Sequence, residues 1–261
     1  LDNEGVKATF FIVGWVAQQN PELVKRIAAE GHEVGSHSYW HEVMRGHTRD
    51  SLRNDLGSSR KLLQDLSGQS VEGFRAPGAS ITPETAWSLD VIFEQGFSYD
   101  ASLCPGHSSH GGFPSPFYGP HLIQCNGGTL AEIPSATMGF GGARMPYAGG
   151  GYLRLFPLSL VSSAISLDNA LGRPTNIYIH PREIDPDQPI PDDPDNRLYC
   201  VPPEGQGPGP GGGGSDPEGT HWMATHTVPG CAPGVQLEQQ GGGEGTDFVG
   251  GAGGYGGGGG F

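Results

Sequence analysis

Long apolar runs are missing from this sequence. None approaches the roughly 18 residues that a membrane-spanning helix requires. Positive charge is scarce, with 14 Lys and Arg against 28 Asp and Glu and a net charge of −14. So acidic a chain is poorly suited to nucleic acid or to an anionic membrane surface. There are four cysteines, Cys104, Cys125, Cys200 and Cys231, and no Cys-x-x-Cys. A zinc ribbon and a thioredoxin-like redox motif are therefore not indicated. Cys104 and Cys125 read as isolated thiols, although they could pair across a loop, and the redox compartment stays open. No repeat with a period of about 20–50 residues is visible. There is no initiator Met and no signal peptide. Leu1-Asp2-Asn3-Glu4-Gly5 reads as the end of a helix closed by glycine, so the start is expected to be a cut and localisation stays open.

Large aliphatics are what the C-terminal part lacks. Composition shifts near Ile190, which sets the expected division into residues 1–190 and 191–261. The second part holds half of the 46 glycines. Its charge is also lopsided, with 1 Lys or Arg against 9 Asp and Glu, while residues 1–190 carry 13 against 19. A chain this poor in apolar surface cannot offset the entropy lost on ordering, so 191–261 is expected to be a disordered Gly/Pro-rich tail. Runs such as Gly211–Gly214 and Gly256–Gly260 look like a GC-rich reading frame translated out of phase; a genuine flexible tail is the alternative.

Residues 1–190 alternate between strand and helix signals. Lys7–Gly14 is β-branched and aromatic, apolar on both faces, and reads as a buried parallel strand. Asn20 as N-cap, Pro21 in the first turn and Gly31 as stop delimit a helix with Leu23, Val24, Ile27 and Ala28 on its apolar side. Glu33–Ser36 is a strand. Thr48 to Gly68 is a second helix carrying Leu52, Leu56, Leu63 and Leu66. Short strands follow at Val71–Phe74 and Phe97–Tyr99, with a helix from Thr82 to Gly96 between them. Residues 104–128 read as a long Gly/Pro/His loop of the kind that lines a cleft, with His107, His110 and His121 solvated. Leu130–Ile133 is a strand, Gly149–Gly151 a tight bend, Pro157–Leu171 a helix with Leu160, Ile165 and Leu167 among its apolar residues, and Asn176–Ile179 a last strand. This order implies a parallel sheet with right-handed crossovers.

The chemistry gathers at strand ends. Gly35-Ser36-His37-Ser38-Tyr39-Trp40-His41 sets two imidazoles four residues apart on one turn, half of a tetrahedral metal site. Position 38 is Ser, not Glu, so the zincin type of general base is absent. Taken alone, two such histidines are as readily ordinary turn residues. Arg75, Asp100 and His180 fall at the ends of three further strands, where sites collect in folds of this class. Singly, Arg75 could lie on the surface, Asp100 could cap a turn, and His180 could be a buried histidine satisfied by backbone.

Five segments in order resemble the polysaccharide deacetylases, the NodB-homology domain of carbohydrate esterase family 4. They are Ala8-Thr9-Phe10-Phe11, His37–His41, Arg75-Ala76-Pro77-Gly78, Asp100–Pro105 and Ile179-His180-Pro181. Ala148–Tyr152 and the ending His180–Pro189 look like the branch associated with bacterial exopolysaccharide and exosortase loci. The resemblance covers about residues 1–190. It implies an α/β fold, a distorted (β/α) barrel, acting on an N-acetylated polysaccharide or oligosaccharide with a divalent metal, most often zinc. His37 and His41 match the metal histidines, Arg75 the arginine that pairs with the base, and His180 the general acid supported by Asp100. Tyr39, Trp40, Pro77 and Tyr178 match the substrate-pocket wall; at Tyr178 many members carry leucine. The family's paired-aspartate strand, source of the base and the third ligand, would lie upstream of Leu1, so the barrel is expected to lack its first strand. A hydrolase and a non-catalytic carbohydrate-binding or structural protein with a Gly-rich assembly tail both stay open.

Overall fold

Apolar residues at helical spacing and β-branched runs between glycines lay down alternating strands and helices, and the observed elements follow that order. The structure, a computed structural model, describes residues 1, 4–106, 112–140 and 143–181, and the backbone of 222–223, 238–239 and 249–253. Thr9–Ile12 (β1), Glu33–Ser36 (β2), Gly73–Phe74 (β3), Tyr99–Asp100 (β4) and Gly128–Glu132 (β6) run parallel, each beside the next. His121–Cys125 (β5) returns antiparallel on β6. Thr137–Phe140 (β7) and Ala143–Pro146 (β8) form a separate hairpin. Asn176–Ile179 (β9) ends the described N-terminal part. Trp222–Met223 (β10) and Glu238–Gln239 (β11) pair with each other.

Helices Gly14–Gln19 (α1), Pro21–Ala29 (α2), Arg49–Ser67 (α3) and Trp87–Glu94 (α4) cover the sheet. Thr48 and Ser51 close a reciprocal capping box at the start of α3, and Gly68 ends it at φ 69°. Leu52, Leu56 and Leu63 of α3 meet Ile12, Val34, Phe74, Val91 and Ile92 in one buried core. Among the described residues no helix is long and apolar enough to cross a membrane.

Several expectations need correction. The strand from Lys7 stops at Ile12, and α1 follows at once. Asn20 does not cap α2 with its side chain; its Nδ2 donates to Val16 O, 3.2 Å, closing α1 instead. Part of the expected loop 104–128 is β5, and His121 sits on it, half-buried, with Nδ1 donating to Gly119 O, 3.0 Å. Gly150 and Gly151 open a short helix, Gly150–Leu155 (α5), in place of a bend. Leu158–Ala170 (α6) forms, but Leu160 and Leu167 are exposed while Val161 and Asp168 face inward. The helix is turned by the buried bond from Tyr147 OH to Asp168 Oδ2, 2.6 Å, which its leucine spacing cannot reveal.

The barrel is not closed by the described strands. They run β5-β6-β4-β3-β2-β1-β12-β9, with no pairing between the two ends. Here β12 is Val249–Gly253, a piece of the tail expected to lack order, antiparallel to both β1 and β9. Open backbone donors and acceptors on β1 and β9 accept any extended chain, and a glycine-rich one brings few side chains to obstruct it. Apart from β10 and β11, the rest of the tail, with Cys200 and Cys231, lies outside the described residues.

Candidate active site

A left-handed turn carries the two histidines. Ser38 has φ 63° and His41 φ 62°, conformations that cost a non-glycine residue about 1–3 kcal/mol each. The surroundings over-determine the turn. Asp55, buried on α3, accepts from Tyr39 N at 2.8 Å and from Trp40 N at 3.1 Å. Ser59, one turn further on, donates to Ser38 O at 3.0 Å and lies 2.8 Å from Ser36 Oγ. Ser38 Oγ accepts from His41 N at 2.7 Å. At the start of α1, Gly14 N and Trp15 N donate to Ser38 O and Tyr39 O. A Cβ on Gly14 would lie 2.5 Å from the Tyr39 ring and 3.1 Å from its Cα, so the close approach requires glycine.

Both imidazoles are fully buried, and they converge. Their Nε2 atoms are 3.1 Å apart, with the rings at 80°. His37 Nδ1–H donates to Arg75 O at 2.6 Å, which leaves the Nε2 lone pair to face His41. With metal–nitrogen bonds of about 2.0–2.1 Å, two nitrogens at this separation can reach one ion, so the pair fits two positions of a zinc-like site. Among the described residues no cluster of three or more His, Cys, Asp and Glu is placed to hold a metal. Asp2 lies outside them.

Arg75 follows β3 and is buried, not a surface arginine. Its Nη1 donates to Ala101 O, 2.9 Å, and its guanidinium lies 4.6 Å from the centre of the Tyr178 ring. That ring stands edge-on to His180, 5.6 Å away, packs on Phe11 and Ala101, and lies where a Cβ on Gly149 would run into it. Tyr178 thus packs between Arg75 and His180. His180 follows β9 and is buried. Asp100 ends β4, fully buried, accepting from Ser102 Oγ at 2.5 Å and Ser102 N at 3.2 Å. Pro77 is buried at the start of a 3-10 turn. Tyr39 and Trp40 stack edge to face and pack on Val13, Trp15 and Val16.

Burial sets the protonation of the groups around the turn. It raises Asp55 to about 7, helped by the nearby Glu42 charge and opposed by the two amide bonds. It lowers His47 to about 4, with Nε2 3.6 Å from Glu42 and no hydrogen bond to that nitrogen. Burial likewise pushes up the Cys104 and Cys125 thiols, which are free.

Two groups escaped the sequence reading, Asp55 and Glu132. Each left a signal. Asp55 and Ser59 sit on the apolar stripe of α3 between Leu52, Leu56 and Leu63, and Glu132 shares the buried phase of β6 with Leu130. His107 and His110 lie outside the described residues.

The chain is similar to several known proteins. Residues 1–92 match the polysaccharide deacetylase family, and residues 101–198 match a domain of unknown function, DUF3473. A peptidoglycan-N-acetylglucosamine deacetylase of Bacillus cereus is 33% identical over 112 residues, 38% of this chain and 41% of its own length. The peptidoglycan-N-acetylglucosamine deacetylase PgdA of Listeria monocytogenes is 34% identical over 100 residues, 35% of this chain and 22% of its own. A family 4 acetyl xylan esterase from Clostridium thermocellum, solved with a cobalt ion, superposes with a TM-score of 0.33 at 26% identity, covering 41% of this chain and 50% of that one. The chain therefore spans less than half the length of these two curated relatives. Residues 1–92 are thus similar to polysaccharide deacetylases, and the chain has a mixed α/β fold.

Proposed function

We propose that this chain holds the metal and the general acid of a hydrolase that removes N-acetyl groups from a polysaccharide. The observation that carries the reading is the convergence of two buried imidazoles, Nε2 to Nε2 at 3.1 Å, with His37 oriented by the Arg75 carbonyl. The match of residues 1–92 supports the reaction class. His37 and His41 would hold the ion, and neutral imidazole donors suit zinc. When bound, such an ion supplies Lewis acidity to the acetyl carbonyl and lowers the pKa of attacking water.

The remaining work falls to the chain's own residues. An amide anion is a very poor leaving group, so the departing amine needs a proton, and His180 is our candidate donor. Asp100 would stabilise the charged state of the site. Arg75 would hold the base carboxylate, while Tyr39, Trp40, Pro77 and Tyr178 wall the sugar. The Ala148–Tyr152 segment favours a bacterial exopolysaccharide as the physiological substrate.

Two imidazoles are one ligand short of the three that catalytic zinc usually takes. A protein of these 261 residues should therefore bind zinc weakly and release acetate slowly from chitin oligomers. Chelator competition should show that His37→Ala abolishes zinc binding and that His180→Ala leaves it intact. In a version completed with the aspartate-bearing strand, His180→Ala should lower kcat by about 10²–10⁴-fold. Loss of zinc on His180→Ala would make His180 a ligand and sink the assignment. Rapid acetate release by the 261-residue protein would place a base and a third ligand inside it.

A further inference from the structure

Strands β4 and β6 lie side by side in register, with Asp100 directly opposite Glu132. Both side chains are completely buried. Glu132 Oε1 accepts from Leu103 N at 3.0 Å. Its Oε2 is also buried and meets no N–H or O–H donor among the described residues. Asp100 is held by Ser102, whose hydroxyl in turn accepts from Ala76 N at 2.7 Å, next to Arg75. An ionised carboxylate oxygen buried without a donor is costly, and two adjacent buried carboxylates facing one arginine cannot both keep their charge cheaply.

We propose that Glu132 is a positioning residue that carries a proton at neutral pH and donates it from Oε2 to Asp100. The pair then holds a single negative charge opposite the single positive charge of Arg75. Oε2 gains the partner that no other described group supplies, and Asp100 stays ionised. The charged and titratable groups around the pair are few. Arg75 follows β3 and favours ionisation of both carboxyls, and the Cys104 and Cys125 thiols are kept neutral by burial. Burial raises both carboxyls, and the Asp100 charge drives Glu132 well above its ordinary range, which places the proton on Glu132. Arg75 links the pair to the site. Its backbone carbonyl orients His37, and its guanidinium packs on Tyr178 beside His180. The protonation state stands independently of any activity; its importance for turnover rests on the deacetylase reading.

The test begins with the intact 261-residue protein, labelled with carbon-13 at the glutamate carboxyls. The Glu132 resonance, assigned through its own backbone, should sit at the protonated position and stay there from pH 5 to pH 8. A Glu132 signal that titrates in the ordinary acid range would overturn the proposal without any variant having to fold. Glu132→Gln keeps both bonds, an oxygen for Leu103 N and an N–H for Asp100, so it should melt no lower than wild type at neutral pH. A group whose folded pKa is raised stabilises fully below its unfolded value and loses that contribution as pH climbs toward the folded one. The Gln variant should therefore gain on wild type as pH rises, a trend a purely space-filling role would not produce. Glu132→Ala should melt lower than Glu132→Gln. Equal loss in both, or no change of margin with pH, would count against the donated proton. If the Glu132 signal stays protonated while no acetate is released even by the completed enzyme, the deacetylase reading fails and the proton assignment survives.

Discussion

The two ends of the candidate site are built differently. The His37–His41 turn is held from four sides, by Asp55 and Ser59 on α3, the first amides of α1, and the Arg75 carbonyl. His180, by contrast, follows a strand whose four residues are all half-buried and whose described pairings are with β12 and, through Tyr178, with Gly149. A strained turn persists only where its surroundings leave it no alternative, and this one is fixed by the protein's own groups. On the proposed reading His180 is a proton donor, and such a donor tolerates looser packing because it must reach a leaving group whose position the substrate sets.

Breaking the turn at its strongest point should give the largest effect. Asp55→Ala strands two part-buried N–H groups, on Tyr39 and Trp40, and should cost about 2–3 kcal/mol of unfolding free energy in urea melts. Zinc affinity should fall with it. Asp55→Asn keeps one acceptor and should cost roughly half as much. If the alanine variant were as stable as wild type, the turn would have to be held by Ser59 and α1 alone.

Acidification should act on the same side of the molecule in two opposed senses, through His47 and Asp55. The folded pKa of His47 is about 4, below its unfolded value of 6.5, so the unfolded chain binds more protons between those values. The contribution of His47 is complete above pH 6.5 and disappears as pH falls toward 4. Its size is about 3 kcal/mol at most, at about 1.36 kcal/mol per unit. Asp55, raised to about 7, acts in the opposite sense, losing its contribution as pH rises from 3.8. Comparing His47→Gln with wild type isolates the histidine: the variant should show a flatter acid limb, and an unchanged slope would place the proton uptake elsewhere.

Two glycines sharpen the contrast with the smallest perturbation. In Gly14→Ala the new methyl meets Tyr39 Cα as well as its ring, so the turn itself must move, at a cost of about 2 kcal/mol. In Gly149→Ala it meets only the ring end of Tyr178, which can swing, at about 1 kcal/mol. Zinc affinity should drop for the first and hold for the second. The reverse order would mean that the β9 end is the more rigid.

Much of this was legible in the residues. Thr48, Gly68, Pro21 and Gly31 mark helix ends because caps and stops act over three or four residues. His37, Arg75, Asp100 and His180 could be placed at strand ends for the same reason: the strands are short and bounded by turn residues. Other elements were hidden. α1 begins directly where β1 ends, without a capping side chain, and β5 reads as loop because His121–Cys125 lacks a clean alternation. On α6 the leucines do not mark the inward face, which is chosen by Asp168 and Tyr147.

The sequence by itself determined the order of the elements and the kinds of side chain at the ends of the strands, because period, capping and turn chemistry are local. It also carried the motifs on which the deacetylase resemblance rests, since each spans only a few residues. Only the tertiary structure decided that two imidazole nitrogens meet at 3.1 Å, that Asp55 reaches across from another helix to hold their turn, and that Asp100 faces Glu132 in a neighbouring strand. Those facts depend on strand register and on which way a helix is rolled. Both are set by contacts between residues far apart in the chain, of which a local pattern carries no record.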